Sequence, residues 1–154
     1  MCNAGRRRWD NPFWVYQMAE LPIAANQRAR PLVLIVEDEA DLRRLYVEQL
    51  AISGFDVIEA ANGADALTRT EAEAPDIVLM DLSLPVVDGW EATRRIKSDT
   101  RTAHILVVAL TAHDGAGELQ RARNAGCDWF VPKPCPPDAL ITEVRRVIAT
   151  RTTS

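Results

Sequence analysis

From Pro31 onward the chain alternates short aliphatic runs with longer stretches of helical period, and that alternation restricts the fold more than any other feature. The runs are residues 32–36, 56–60, 77–80, 105–110 and 128–131. The first, third and fourth are apolar throughout, the pattern of strands buried on both faces of a parallel sheet. After the first run, Leu42, Leu45, Tyr46, Gln49 and Leu50 fall at helical spacing, and Gly54 stands where a helix C-cap belongs. Asn62-Gly63 opens a second helix that runs to residue 73 and is closed by Pro75. Residues 89–98 form a third, and residues 117–125, capped by Gly126, a fourth. The last runs from Pro136-Pro137 to Thr150, with Leu140, Ile141, Val144, Val147 and Ile148 on a single stripe that the sheet needs.

Five β-α units within residues 31–150 predict an α/β fold, a flavodoxin-like (βα)5 doubly wound parallel sheet of strand order 2-1-3-4-5. A barrel of eight such units needs about 250 residues. A chain of 154 residues buries enough surface to need no disulfide or structural metal. Its cysteines agree: Cys2, Cys127 and Cys135 are odd in number and form no C-x-x-C pair, which reads as reduced, inert thiols in a cytoplasmic protein. The longest apolar run, residues 105–110, is far short of the ~20 residues a membrane helix needs, so no membrane span is expected.

Charge divides the chain. Residues 1–30 hold five Arg against Asp10 and Glu20, whereas residues 31–154 carry 13 basic against 20 acidic groups. The acidic body argues against direct DNA binding. Four of nine aromatics, Trp9, Phe13, Trp14 and Tyr16, lie in the first 16 residues without core periodicity, so residues 1–30 read as a disordered tail. For residues 1–17 two readings stay open: an interfacial docking arm, or an upstream artefact with Met18 as the true start. Residues 151–154 read as a short C-terminal tail.

Open α/β sheets bind ligands beyond the C-termini of their strands. Glu37-Asp38-Glu39 follows the first strand, Asp81 the third, Thr111 the fourth and Lys133 the fifth, whereas the second ends in unreactive Ala60-Ala61-Asn62. Parallel strands bring their C-termini to one edge, so groups spread over the sequence converge there. Carboxylates gathered in this way repel one another unless a cation offsets them. An oxygen-only ligand set without His or Cys favours a hard ion, Mg²⁺ or Mn²⁺.

Four separated segments carry a resemblance: Val33 to Glu39 (VLIVEDE), Ile77 to Gly89 (IVLMDLSLPVVDG), Ala109 to Ala112 (ALTA), and Gly126 to Pro134 (GCDWFVPKP). In this order they are similar to the receiver domain of two-component response regulators, across residues 31–150. The resemblance implies that Asp81 is the phosphoacceptor, taking a phosphoryl group from a phosphohistidine on a sensor histidine kinase or histidine phosphotransfer protein. It implies Mg²⁺ held by Asp38, by Asp81, by Glu37 through water and by the backbone carbonyl of Ser83. Lys133 would contact a phosphoryl oxygen, next to a cis bond to Pro134. Lys97 and Lys133 are the only lysines among 18 basic residues, so a surface lysine at this spot by chance is improbable.

Thr111 would donate its hydroxyl to the phosphoryl group. Its movement would let the aromatic Phe130 turn inward and reshape the face of the fourth helix, fifth strand and fifth helix. The family commonly has tyrosine where this chain has Phe130, so no hydroxyl supports that turn. Such a protein is no general enzyme: it catalyses only its own phosphoryl transfer and dephosphorylation, and signals to a downstream protein target. Only 21 residues follow Lys133, so an output domain is not expected there.

Other readings weigh less. A flavin phosphate would be repelled by Glu37-Asp38-Glu39. An aspartyl phosphatase needs a second Asp two residues after its nucleophile, where this chain has Ser83. A phosphorylation-independent docking or dimerisation module of the same fold remains the alternative. Trp129 reads as a surface or interface aromatic, Trp90 as packing, and His113 as an exposed loop histidine.

Overall fold

Five parallel strands form a single sheet of order β2-β1-β3-β4-β5 in the computed structural model, which describes residues 28–112 and 116–152. The strands are β1 (Leu32–Val36), β2 (Asp56–Ala60), β3 (Ile77–Asp81), β4 (Leu106–Thr111) and β5 (Trp129–Pro132). The helices between them are α1 (Ala40–Ile52), α2 (Gly63–Glu73), α3 (Gly89–Ser98), α4 (Ala116–Ala125) and α5 (Pro137–Thr152). The flavodoxin-like doubly wound architecture is thus the observed one.

Strand alternation sends successive side chains to opposite faces. Val33, Ile35, Ile77, Leu79 and Leu110 pack with Tyr46 and Leu50 of α1 and Leu140 and Val144 of α5. On the other face, Leu34, Val36, Val78 and Met80 pack with Ala66 of α2 and with Ala92 and Ile96 of α3. Each central strand is therefore covered on both sides, which is why its sequence is apolar without interruption. Burying each large aliphatic side chain contributes about 1.5–3 kcal/mol. β2 is half exposed, as an edge strand remote from the site should be.

The helix ends follow their local chemistry. Asn62 and Asp88 accept from the backbone N–H groups of Asp65 and Glu91 at 2.8 and 2.9 Å. Gly54 and Gly126 adopt φ of 102° and 98°, the left-handed exit that glycine permits. Strand ends differ from the sequence reading: Asp81 and Thr111 close β3 and β4 instead of lying beyond them. The reason is pairing, for Asp81 is in register with Leu110 and Thr111 with Pro132.

Trp129 also departs from its reading as a surface aromatic. It is 6% exposed, because α5 lies over that face of β5, and its indole N–H donates to Glu143 Oε2 at 3.0 Å. Trp90 packs as expected, with the Arg121 guanidinium 4.6 Å above its ring. Burial pushes the Cys127 thiol up to about 12, which leaves little reactive thiolate at neutral pH. Among the described residues no helix is long and apolar enough to cross a membrane.

Of the segment read as a tail, residues 1–27 lie outside the described residues, as do His113 and residues 153–154. Arg28 and Arg30 are seen against the body. Arg28 donates to the Glu73 and Ala74 carbonyls at 2.7 and 2.9 Å, and Arg30 to the Gly54 carbonyl at 3.0 Å. Both lie at the N-terminal edge of the sheet.

Candidate functional site

The opposite, C-terminal edge gathers the charged residues that the strand ends announced. Oxygens of Glu37, Asp38 and Asp81 all lie within 4.8 Å of one another. Glu37 and Asp81 are buried, at 1% and 6% exposure, while Asp38 faces solvent. β1 and β3 are paired neighbours, which brings together two carboxylates 44 positions apart.

Lys133 is the counter-charge. Its Nζ donates to Glu37 Oε1 at 2.5 Å and lies 3.4 Å from Asp81 Oδ2. Burial alone would lower its pKa, but the hydrogen bond to Glu37 and the charges of Asp81 and Glu37 outweigh it, and the ammonium titrates above the usual lysine range. The Lys133–Pro134 peptide bond is cis, as the resemblance implied. The Lys133 backbone N–H donates to the Thr111 carbonyl at 2.6 Å, which ties the lysine to the end of β4. Thr111 is buried at 4% exposure, one residue beyond the partner of Asp81 in the β3–β4 register.

The loop between β3 and α3 is tightly held. The Ser83 N–H donates to Asp81 Oδ1 at 3.0 Å, and the Gly89 N–H to the Leu82 carbonyl at 3.3 Å. Two glycines make room for it. A Cβ on Gly89 would stand 2.2 Å from the Asp81 carbonyl oxygen, and one on Gly63 2.0 Å from that of Val87. Between them Val86 takes φ 69° with 84% of its surface exposed, a left-handed backbone that a β-branched residue adopts only under constraint. Phe130, half-buried, packs against the cluster of Leu82, Trp90, Ala109 and Ala122.

Sequence reasoning placed Glu37, Asp38, Asp81, Ser83, Thr111 and Lys133 at this edge, and the fold brings them together. It passed over supporting groups. Arg43 donates to the Glu37 carbonyl at 2.8 Å and to Glu59 Oε1 at 2.9 Å. Tyr46, read only as one member of a helical stripe, donates its hydroxyl to the Cys135 carbonyl at 3.0 Å. Burial, chiefly, raises the Tyr46 phenol above its ordinary pKa, which keeps it a neutral donor. Only the polar tip of a residue on an apolar stripe hinted at this contact.

The donor set suits a hard divalent ion. All ligand atoms are oxygens, and three carboxylates against one ammonium leave two negative charges in a partly buried space.

Known proteins resemble this chain in sequence and fold. Residues 33–145 match the model of the response regulator receiver domain. The polar-differentiation response regulator DivK of Brucella anthropi is 35% identical over 113 residues, covering 73% of this chain and 92% of that protein. The chemotaxis protein CheY4 of Vibrio cholerae superposes with a TM-score of 0.74 at 25% identity, over 77% of this chain and 99% of its own. A CheY-like receiver domain protein of Methanospirillum hungatei, 22% identical with a TM-score of 0.76 over 81% of this chain and 98% of its own, shares the fold. Sheet order, acidic edge and family match agree, and the chain belongs to the response regulator receiver domains of two-component signalling.

Proposed function

We propose that this receiver accepts a phosphoryl group on Asp81 from a phosphohistidine of a sensor histidine kinase or histidine phosphotransfer protein. An Asp81 carboxylate oxygen attacks phosphorus. A P–O bond forms to give an acyl phosphate, and the P–N bond breaks with its electron pair leaving on the imidazole, which takes up a proton. Hydrolysis by water later returns the carboxylate and inorganic phosphate. The reading is carried by one observation: the carboxylates of Glu37, Asp38 and Asp81 lie within 4.8 Å of one another beside the Lys133 ammonium.

Asp38, Asp81 and the Ser83 carbonyl would hold Mg²⁺, with Mn²⁺ as substitute. Glu37, already engaged by Lys133, would act through water. The ion, when bound, offsets charge on the phosphoryl oxygens. Lys133 binds one of those oxygens as a compact charge, and the Thr111 hydroxyl donates to another. As Thr111 moves, Phe130 turns further into the cluster it already touches, and the surface of α4, β5 and α5 changes for a downstream protein target. These events belong to the cytoplasm, where histidine kinases present their phosphohistidine.

Incubation with acetyl phosphate, with and without Mg²⁺, followed by phosphate-affinity electrophoresis tests the reading. Wild type shifts only with Mg²⁺, and Asp81→Asn does not shift. A wild-type chain that takes no label from acetyl phosphate or from phosphohistidine donors refutes it and leaves the phosphorylation-independent docking module.

A further inference from the structure

We propose that Tyr46 is a positioning residue for Lys133, acting through the hydrogen bond that its hydroxyl donates to the Cys135 carbonyl. The proposal rests on the reading of Asp81 as phosphoacceptor and adds a residue to that machinery.

Three observations carry it. Tyr46 is 2% exposed, with its ring in the core between α1 and α5, where phenylalanine would fill the same space. A buried hydroxyl is costly unless bonded, and this one is satisfied by a residue 89 positions away, 3.0 Å distant. Cys135 is two residues past Lys133, in the stretch Pro134-Cys135-Pro136-Pro137. Three of these four residues have no N–H, so the segment has few donors with which to hold itself in place. A tether from α1 replaces them.

What is held matters to the site. Lys133 Nζ stands 3.4 Å from Asp81 Oδ2, near the outer limit of an ion pair, so a drift of about 1 Å in this loop detaches it. Glu37, at 2.5 Å, would then keep the ammonium to itself.

The test compares phosphorylation by acetyl phosphate at saturating Mg²⁺ in wild type, Tyr46→Phe, Lys133→Met and the double variant. Tyr46→Phe lowers the maximal rate about three- to tenfold, the worth of one neutral hydrogen bond, with the KM for acetyl phosphate and the calorimetric Mg²⁺ affinity unchanged. In the Lys133→Met background the same substitution costs nothing more, which a merely structural role would not produce. Backbone amide exchange supplies a second measurement without any donor: it quickens at Lys133 and Cys135 in Tyr46→Phe while the β1 and β3 amides keep wild-type protection. A wild-type rate in Tyr46→Phe, an equal loss in both backgrounds, or unchanged exchange at Lys133 and Cys135 overturns the proposal and leaves Asp81 as acceptor. A wild type that takes no phosphoryl group removes both.

Discussion

The two edges of the sheet each collect charged side chains, yet among the described residues carboxylates outnumber cations at only one of them. At the N-terminal edge, Lys97 Nζ meets Asp128 Oδ2 at 2.6 Å and the Ile105 carbonyl at 2.6 Å. Arg151 donates to the Asp76 and His104 carbonyls at 3.2 and 2.5 Å, and Arg28 reaches Asp76 Oδ2 at 3.5 Å. There each carboxylate faces a cation, and carbonyl oxygens take the remaining donors. At the C-terminal edge, three carboxylates gather while one ammonium contacts two of them, Glu37 and Asp81. Buried charge alone therefore does not mark a working site, since both edges have it. An excess of carboxylates sets the C-terminal edge apart, because their mutual repulsion is offset when a cation binds among them.

The largest effect that separates the edges is at Asp128. Its side chain is 2% exposed and accepts both from Lys97 and from the Val107 N–H at 2.9 Å. Asp128→Ala leaves the Lys97 ammonium, itself 13% exposed, with carbonyl partners but no counter-charge, and costs about 3–5 kcal/mol in urea unfolding. A loss below about 1 kcal/mol would mean that the N-terminal edge is not the closed structural clamp described.

That clamp was invisible in the sequence, whereas the acidic edge was largely legible. Hydrophobic period reports which residues are buried, and strand C-termini report which edge carries chemistry. Glu37, Asp81, Thr111 and Lys133 could therefore be placed without coordinates. Neither signal names a partner across the chain. Lys97 sits in a helix and Asp128 before a strand, and nothing local tells that they meet. Tyr46 and Cys135 pose the same difficulty over a longer span. Trp129 was misplaced because its strand lies at the sheet's edge, and only the position of α5 reveals that the edge is roofed.

A smaller effect sharpens the comparison from the other side. Gly89→Ala places a Cβ 2.2 Å from the Asp81 carbonyl and 2.7 Å from Leu82 Cα, both backbone atoms that cannot step aside. The crowding costs about 1–3 kcal/mol and slows Mg²⁺-dependent phosphorylation, since the loop carrying Ser83 must move. Gly117→Ala, where nothing lies within 4 Å, instead gains about 0.5 kcal/mol from helix propensity. Thermal unfolding of the pair checks this. Two losses of equal size would show that the crowding at Asp81 has no special consequence.

The smallest effect is the most informative about the imbalance. Asp81→Asn keeps the shape of the side chain and an oxygen for the Ser83 N–H, now 3.0 Å away. It removes a repulsion against Glu37 and Asp38, and gives up the 3.4 Å approach of Lys133. Two repulsions relieved against one attraction lost leave a net gain of less than about 1 kcal/mol in metal-free, low-salt buffer, and screening shrinks it further at high salt. Mg²⁺ should reverse the order, because it binds and stabilises the wild-type carboxylates better than the variant's. Urea midpoints of both proteins with and without Mg²⁺ measure the crossing. If Asp81→Asn were instead destabilised by about 2 kcal/mol or more without the ion, the acidic edge would carry no net repulsion, and failure of that variant to take phosphate would report lost structure rather than a lost acceptor.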